Sequence, residues 1–429
     1  YLYDKDIDVV EDVEASLYNR AEGLLLNEAK DITTNRMAIY DLSSGGSFLP
    51  YDVAGVDKKT AYSFGAGWEG ATTANNIVKL NEAIELGRYA YVFDRSIELG
   101  DDTVVFYVSR LKNTESDVNS VITAGKASGY SIVNRNSNIL VFHRDMPESP
   151  GIITEYENIA IGRAAGDITL LYPDFCEGDS YDLSDYTYEE LKDYSRIYLS
   201  DFTYEDVDDA EALLSKLADS GVKIYIDMNK LPPNTKNNSQ EIYGVVAHTV
   251  TFNDNFPEIT YKGKTYKTSS FMEENSEWKT VYVTGLKNVT GYGELNGSKL
   301  AFSGSADNEN IVFLGYNFVY HVEATGDKLG ETLLDEILGE KIGSLPDRQI
   351  VDIDISYRDD AITIESDYDN VNTTLAYIDI FGDIDSIEVK NNLINVDKGS
   401  IELNMNYPYF VRGIIVSVFG IICIFSYML

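Results

Sequence analysis

Five residues have the types and spacing for sugar recognition: Asp41, Ser43, Ser44, Trp68 and Glu69. The run Asp41-Leu42-Ser43-Ser44-Gly45-Gly46-Ser47-Phe48 leaves the carboxyl end of a short apolar strand, Met37–Asp41. Trp68-Glu69 sits in a glycine-rich turn after a second short run, Thr60–Phe64. In α/β sheets ligands bind at the carboxyl ends of the strands. If the two strands are parallel neighbours, Asp41, Asp52, Trp68 and Glu69 converge on one cleft. An indole plane then covers the apolar face of a sugar ring, and carboxylates and hydroxyls pair with its hydroxyl groups. The bland reading has Asp41 capping its own loop and Trp68 packed in the core.

Other motifs are structural on inspection. Gly65-Ala66-Gly67-Trp68-Glu69-Gly70 fits G-x-G-x-x-G, the pattern that brings backbone N–H groups against a pyrophosphate. Here the preceding strand is barely apolar, no compact βαβ unit follows, and Thr72–Asn76 opens the next helix. The loop reads as structural or ligand-lining. Asn296-Gly297 within Gly291–Gly297 is a hairpin signal. The three histidines, His143, His248 and His321, make no pair at i+2, i+3 or i+4, so no zinc signature exists. Cys176 lies in PDFCE without a strand–elbow–helix setting, which argues against a nucleophile. The acidic clusters Asp206–Asp209 and Asp379–Asp385 match no EF-hand loop. No catalytic residue, metal or cofactor is assigned.

The chain has 429 residues and a net charge of −37, from 34 Lys plus Arg against 71 Asp plus Glu. That balance excludes phosphate-backbone binding, so no nucleic-acid partner is expected. A hydrophobic share of 44% with 12% aromatics excludes a disordered acidic chain. Tyrosine dominates the aromatics, 32 against 17 Phe and 2 Trp, which suits wet, half-buried β surface and carbohydrate-facing surface. Of two cysteines, Cys423 lies in the apolar tail, which leaves Cys176 without an intramolecular partner in the rest of the chain.

The tail from Gly413 to Leu429, GIIVSVFGIICIFSYML, carries no charge. As a helix it spans about 25 Å, a little short of a hydrocarbon core of about 30 Å. Tyr407, Tyr409 and Arg412 precede it as an interface belt would. The expectation is a transmembrane helix over 410–429, holding the chain to a lipid bilayer through 413–429, with residues 1–408 extracytoplasmic. The start at Tyr1 and the stop within the apolar run suggest a segment of a longer membrane protein.

The elements that must position these residues suggest an α/β fold in three parts. Residues 1–148 read as a mixed α/β domain, closed by a Pro/Gly linker at Met146–Gly151. Residues 152–345 read as a flavodoxin-like α/β domain with a β-rich insertion. The strand–helix–strand run Ser195–Leu199, Tyr204–Ser220 and Val222–Met228 is a βαβ unit. From Gln349 the pattern alternates with period two, and six short strands over 349–407 suit a small juxtamembrane β-sandwich.

The phrases AIYDLSSGGSFLPYDVAG, FGAGWEGATTANNIVKLNEAIELGRYAYVFDRSIELG, ENIAIGRAAGDITLLYP, LADSGVKIYIDMNKLP and DNVNTTLAYIDIF carry a resemblance. Taken in order, they resemble the polytopic membrane proteins labelled 6-pyruvoyl-tetrahydropterin-synthase-related. The resemblance implies an external region plus the last membrane helix of a GT-C glycosyltransferase-like protein of cell-envelope glycan assembly. Such proteins use polyprenyl-phosphate sugars, so a glycan or polyprenyl-linked sugar is the implied partner. Their key carboxylate lies in an early external loop that this chain lacks, so no catalytic residue carries over. Pterin synthases hold zinc with H-x-H, which is absent here. The βαβ unit also resembles class I amidotransferase-like domains, without their elbow cysteine and His–Glu pair. The alternative is a non-enzymatic membrane-anchored binding or scaffold module.

Overall fold

In the computed structural model, which describes residues 21–40, 60–64, 74–108, 111, 114–253, 256–268, 277–358, 360–378, 380–381, 387–405 and 410–428, the chain is a mixed α/β protein. Short, mostly apolar runs build its first layers. Strands Ala61–Phe64, Arg36–Tyr40, Asp101–Tyr107, Ile139–His143 and Ser131–Arg135 form one sheet in that spatial order. The first three are parallel and the last two antiparallel. Met37, Ile39, Val105, Tyr107, Ile139 and Val141 share one core with Leu25, Leu26 and Ala29 of helix Ala21–Ile32. Ala38, Tyr40, Val104, Phe106, Leu140 and Phe142 belong to the core on the other face, under helices Ala74–Glu85, Tyr89–Glu98 and Thr114–Ala127. Successive side chains take opposite faces, so a strand covered on both sides must be apolar throughout. Strands Arg36–Tyr40 and Ala61–Phe64 lie within one residue of the runs expected over Met37–Asp41 and Thr60–Phe64. Helix Tyr89–Glu98 has an outward face that is neither apolar nor solvent-facing, because it meets the other two units.

The second unit carries parallel strands in the order Phe175–Glu177, Asn158–Ile161, Arg196–Leu199, Lys223–Asp227 and Ile311–Leu314. The antiparallel strands Ser298–Ser305, Glu277–Thr284, Val245–Asn253 and Glu241–Ile242 continue the same sheet beyond Ile311–Leu314. This is the β-rich insertion. Its hairpin turn Asn296-Gly297 has φ of 51° and 77°, the left-handed pair that a two-residue turn requires. Ile197, Leu199, Ile224 and Ile226 pack under helix Val207–Asp219, whose first turn is capped by Asp206 Oδ1 accepting from the Asp208 N–H at 2.8 Å. Tyr198, Tyr225 and Leu314 pack under helices Asp167–Leu171, Phe318–Thr325 and Lys328–Leu338.

The third unit is two antiparallel sheets sharing a core of Val351, Ile353, Ile362, Ile364, Val371, Ile394 and Leu403. One has the order Asp347–Asp352, Pro150–Glu155, Val371–Ala376, Leu393–Val396, Glu388–Lys390; the other is Asp354–Tyr357, Ala361–Ser366, Gly399–Asn404. The Pro/Gly segment expected to be a linker therefore ends inside a strand. Pro150 opens that strand, a position where its missing N–H is tolerated. At Gly151 a Cβ would stand 2.5 Å from Val371 Cγ1, so the glycine permits sheet packing here. The first of the strands expected after Gln349 is two strands in two sheets, Asp347–Asp352 and Asp354–Tyr357, with Ile353 at the corner.

Helix Tyr89–Glu98 ties the units together. Its Asp94 takes both oxygens into a pair with Arg348 (Nε–Oδ1 2.7 Å, Nη2–Oδ2 2.8 Å), with side chains only 2% and 4% exposed. At its start Arg88 donates to the carbonyls of Val322 at 2.9 Å and Glu323 at 3.4 Å, in the last turn of Phe318–Thr325, and pairs with Glu331 at 2.5 Å. A cation there offsets the helix dipole.

The C-terminal helix Phe410–Met428 runs 19 residues, about 28 Å at 1.5 Å per residue. Its described side chains, 412–421, are all exposed. Counted over the described residues, no helix is long and apolar enough to cross a membrane. The transmembrane reading of 413–429 thus rests on the sequence.

Breaking the Asp94–Arg348 pair leaves a buried charge uncompensated, which costs about 3–5 kcal/mol. Asp94→Ala is expected to lower the unfolding free energy measured by urea titration by that amount, and Asp94→Leu with Arg348→Met to recover most of it. Equal losses in the single and double variants would show that packing, not charge, holds the joint.

Candidate functional site

Tyr91, Arg95 and Glu98 lie at i, i+4 and i+7, so one face of helix Tyr89–Glu98 carries all three. That face lines a cleft of about 490 Å³ where the three units meet. Ile152, Thr154 and Tyr156 line it from the strand Pro150–Glu155 and the residue beyond, at every second position. From the second unit come Cys176 to Asp179, then Tyr186, Glu190, Leu191 and Tyr194. The short helix Tyr188–Leu191 is fixed by a capping box, with the Thr187 N–H donating to Glu190 Oε2 at 2.7 Å. From the third unit come Asn370, Asn372, Asn395 and the turn at Lys390-Asn391. Asn391 and Asn392 have φ of 50° and 61°, a two-residue turn between Glu388–Lys390 and Leu393–Val396.

The wall is internally bonded. Arg95 pairs with Glu98 and donates to the Tyr156 hydroxyl at 3.3 Å. Arg348 also donates to that hydroxyl at 3.3 Å and to Thr154 Oγ1 at 2.8 Å. Asn391 Nδ2 donates to Glu98 Oε1 at 3.2 Å, and Asn372 Nδ2 to the Glu98 carbonyl at 3.1 Å. Burial alone would raise the Glu98 carboxyl, but the Arg95 and Arg348 charges hold it below its ordinary range. Burial alone would lower the Arg95 guanidinium, but Glu98 and the neighbouring tyrosines hold it charged. Burial drives the hydroxyls of Tyr91, Tyr156 and Tyr194 upward, so they stay neutral hydrogen-bonding groups.

The cleft carries no poised proton carrier among its described residues. Cys176 Sγ faces the Asn158 carbonyl at 3.4 Å and the Tyr194 hydroxyl at 3.6 Å, and burial pushes its thiol up to about 11. It is therefore a thiol and a poor nucleophile at neutral pH. The carboxyls that burial does raise lie outside the cleft wall: Asp101, Asp174 and Glu323 to about 7, Asp167 and Asp227 to about 6, with Asp102 and Asp335 also shifted upward. Asp101 accepts from Ser63 Oγ at 2.7 Å in a partly buried bond and Asp227 from Ser200 Oγ at 2.9 Å in a buried one. His321 is buried in a stack on Phe256 and driven down to about 4 by burial, His248 bonds Thr284 Oγ1 at 2.8 Å, and His143 ends a strand. Among the described residues no three His, Cys, Asp or Glu side chains are grouped to hold a metal ion.

The sequence-expected residues Asp41, Ser43, Ser44, Trp68 and Glu69, with Asp52, lie outside the described residues, as does the Gly65–Gly70 loop. The strands before them, Arg36–Tyr40 and Ala61–Phe64, are parallel neighbours, as the convergence argument requires. The sequence reading missed the three-unit cleft. A signal was present in the i, i+4, i+7 spacing of Tyr91, Arg95 and Glu98.

Residues 21–155 match a family described as "Domain of unknown function (DUF8559)" and residues 157–321 match one described as "Domain of unknown function (DUF8560)". The two matches meet just after strand Pro150–Glu155. No curated protein matches. A solved structure with some similarity is alpha-L-fucosidase isoenzyme 2 from Paenibacillus thiaminolyticus, at 9% identity and a TM-score of 0.26. The alignment covers 75% of this chain and 57% of that one, so this chain spans little more than half of that protein's length. A likeness of that degree carries no argument about fold or activity.

The raised carboxyls give stability a pH slope. Their unfolded values lie near 4, so above that the folded chain holds more protons than the unfolded one. Stability then falls as pH rises through the folded values near 7. His321 acts in the opposite sense below its ordinary 6.5. The melting temperature is therefore expected to fall from pH 6.5 to about 8, and Asp101→Asn to flatten that slope. A melting temperature that rises over this window would contradict the assignment.

Proposed function

We propose that this chain is the extracytoplasmic, ligand-binding part of a membrane-anchored protein of cell-envelope glycan assembly. The three-unit cleft is its binding site for a glycan or polyprenyl-linked sugar. The observation that carries the reading is the cleft wall, where tyrosine rings from helix Tyr89–Glu98 and the second unit meet side-chain amides from the third without a raised carboxyl or a thiolate. Its volume of about 490 Å³ falls within the range for small-molecule sites. Aromatic faces take the apolar side of a sugar ring, and amides pair with hydroxyls as donor and acceptor. The module then binds and positions its ligand, and any transfer chemistry belongs to membrane-embedded parts of a GT-C glycosyltransferase-like parent, as the family resemblance implies.

Finer points of architecture join this proposal. The parallel strand order of the second unit is the 2-1-3-4-5 order of flavodoxin-like sheets, which supports kinship with non-catalytic class I amidotransferase-like domains. The paired sheets of the third unit support a juxtamembrane sandwich. The Phe410–Met428 helix supports bilayer anchoring: Arg412 is its one charge, and Val416 and Phe419 are 70% and 64% exposed. An apolar surface of that kind is costly in water and at home in lipid.

Two outcomes are expected. The full chain should stay with the membrane fraction through an alkaline carbonate wash, and a variant lacking 410–429 should be released; retention of the truncated variant would remove the anchor. In detergent, the full chain should bind members of a panel of neutral and acidic envelope-type oligosaccharides. Asn391→Ala, an exposed turn residue, should weaken that binding between about twofold and tenfold, the worth of one net hydrogen bond. Binding to no member of the panel would end the glycan reading.

A further inference from the structure

We infer that the cleft selects an uncharged polyhydroxylated ligand and rejects anions, so that it reads the neutral sugars of a glycan and not the phosphate of a lipid-linked donor. The inference rests on the glycan reading above and narrows its ligand.

Charge pairing in the wall carries the inference. Three cations line the cleft: Lys79, Arg95 and Lys390. Each is already committed to a carboxylate. Lys79 pairs with Glu177, Arg95 with Glu98, and Lys390 with Glu388 at 3.0 Å. Four carboxylates line the same space, Glu98, Glu177, Asp179 and Glu190. Asp179 and Glu190 therefore leave the described wall net negative. A phosphate or uronate is most strongly recognised by an uncommitted cation, and Arg is the usual choice because its fork matches two oxygens. Among the described residues, the one arginine lining the wall is turned to Glu98 and Tyr156. Pulling it toward a ligand anion would strand the Glu98 carboxylate at the joint between units. An anion entering the cleft would also meet Asp179 and Glu190 at close range, where like charges repel.

A neutral polyol meets the opposite situation. Its hydroxyls both donate and accept, which matches side-chain amides and acidic oxygens alike. Asn370 accepts from Lys390 through Oδ1 at 3.3 Å and Asn395 donates through Nδ2 to the Leu393 carbonyl at 3.1 Å. Those bonds occupy one end of each amide and leave the other end's capacity for a hydroxyl. Carboxylates that repel an anion accept readily from a sugar hydroxyl, so the same charge pattern that excludes one ligand favours the other.

The test compares matched probes on the full chain in detergent by titration calorimetry. Neutral oligogalactosides are set against oligogalacturonates of equal length, which differ by a carboxylate at C6, and inorganic phosphate is added as a competitor. The expected result is binding of the neutral series at least tenfold tighter than the uronate series, with no displacement by phosphate. Asp179→Lys should narrow that ratio, since it replaces a repelling charge with an uncommitted cation on an exposed residue. Tighter binding of the uronates, or competition by millimolar phosphate, would overturn the charge selectivity while leaving a glycan site standing. Binding of neither series here, together with none across the wider panel, would overturn the glycan reading and this inference with it.

Discussion

A guanidinium and a carboxylate, both buried, set the geometry on which the rest depends. Asp94 and Arg348 are 254 residues apart and meet through two parallel hydrogen bonds. Such a pair adds little net stability over an apolar substitute, because desolvation offsets its attraction. What it supplies is register. A planar fork accepts a carboxylate in few orientations, so the strand Asp347–Asp352 can dock on helix Tyr89–Glu98 in few ways. That strand pairs along its length with Pro150–Glu155, which links the first unit to the second. One bidentate contact therefore fixes where three walls of the cleft stand.

The cleft inherits its chemistry from this joint. Residues needed to hold the units together are charged, and burial requires each charge to be matched. Arg95 and Glu98 match each other, and Arg348 serves both Asp94 and the Tyr156 hydroxyl. Matched charges make a stiff, polar and nearly inert surface. Proton transfer needs a group poised between two states near neutral pH, and here neighbours push Glu98 and Arg95 further into their charged forms. The carboxyls that burial raises lie elsewhere, two of them, Asp101 and Asp227, bonded to serines.

Strain collects at the same joint. Thr374, a β-branched residue, has φ of +59° where strand Val371–Ala376 bulges, and its N–H is held by Asn372 Oδ1 at 2.8 Å. Its carbonyl accepts from Arg36 of the first unit. Gly100, at φ +77°, faces it across the contact, and a Cβ there would lie 2.7 Å from Asn35 Nδ2 and 3.0 Å from Thr374. A left-handed threonine is costly and persists where surrounding contacts over-determine it. Contacts from two units do so here.

Much of the fold was legible because local rules and tertiary packing agree. Within the strands Asp101–Tyr107 and Lys223–Asp227, the consecutive apolar residues Val104–Tyr107 and Ile224–Ile226 are covered on both faces, and the unbroken apolar run records that directly. The turn Asn296-Gly297 and the helix Lys328–Leu338 follow from left-handed φ and from period, which neighbouring residues decide among themselves. The reading failed where a residue answers to a distant partner. Pro150 and Gly151 signal a break to any local rule, yet they sit in a strand because Val371, some two hundred residues on, needs the space a side chain would fill. The polar face of Tyr89–Glu98 looks like solvent to a periodicity argument, and tertiary structure alone makes it the wall of a cleft. Sequence by itself determined the layers, the turns and the apolar tail, since those depend on patterns a few residues long. Which charges meet, and therefore what the cleft can bind, was decided by folding, because charge pairing depends on distance in space and is indifferent to separation along the chain.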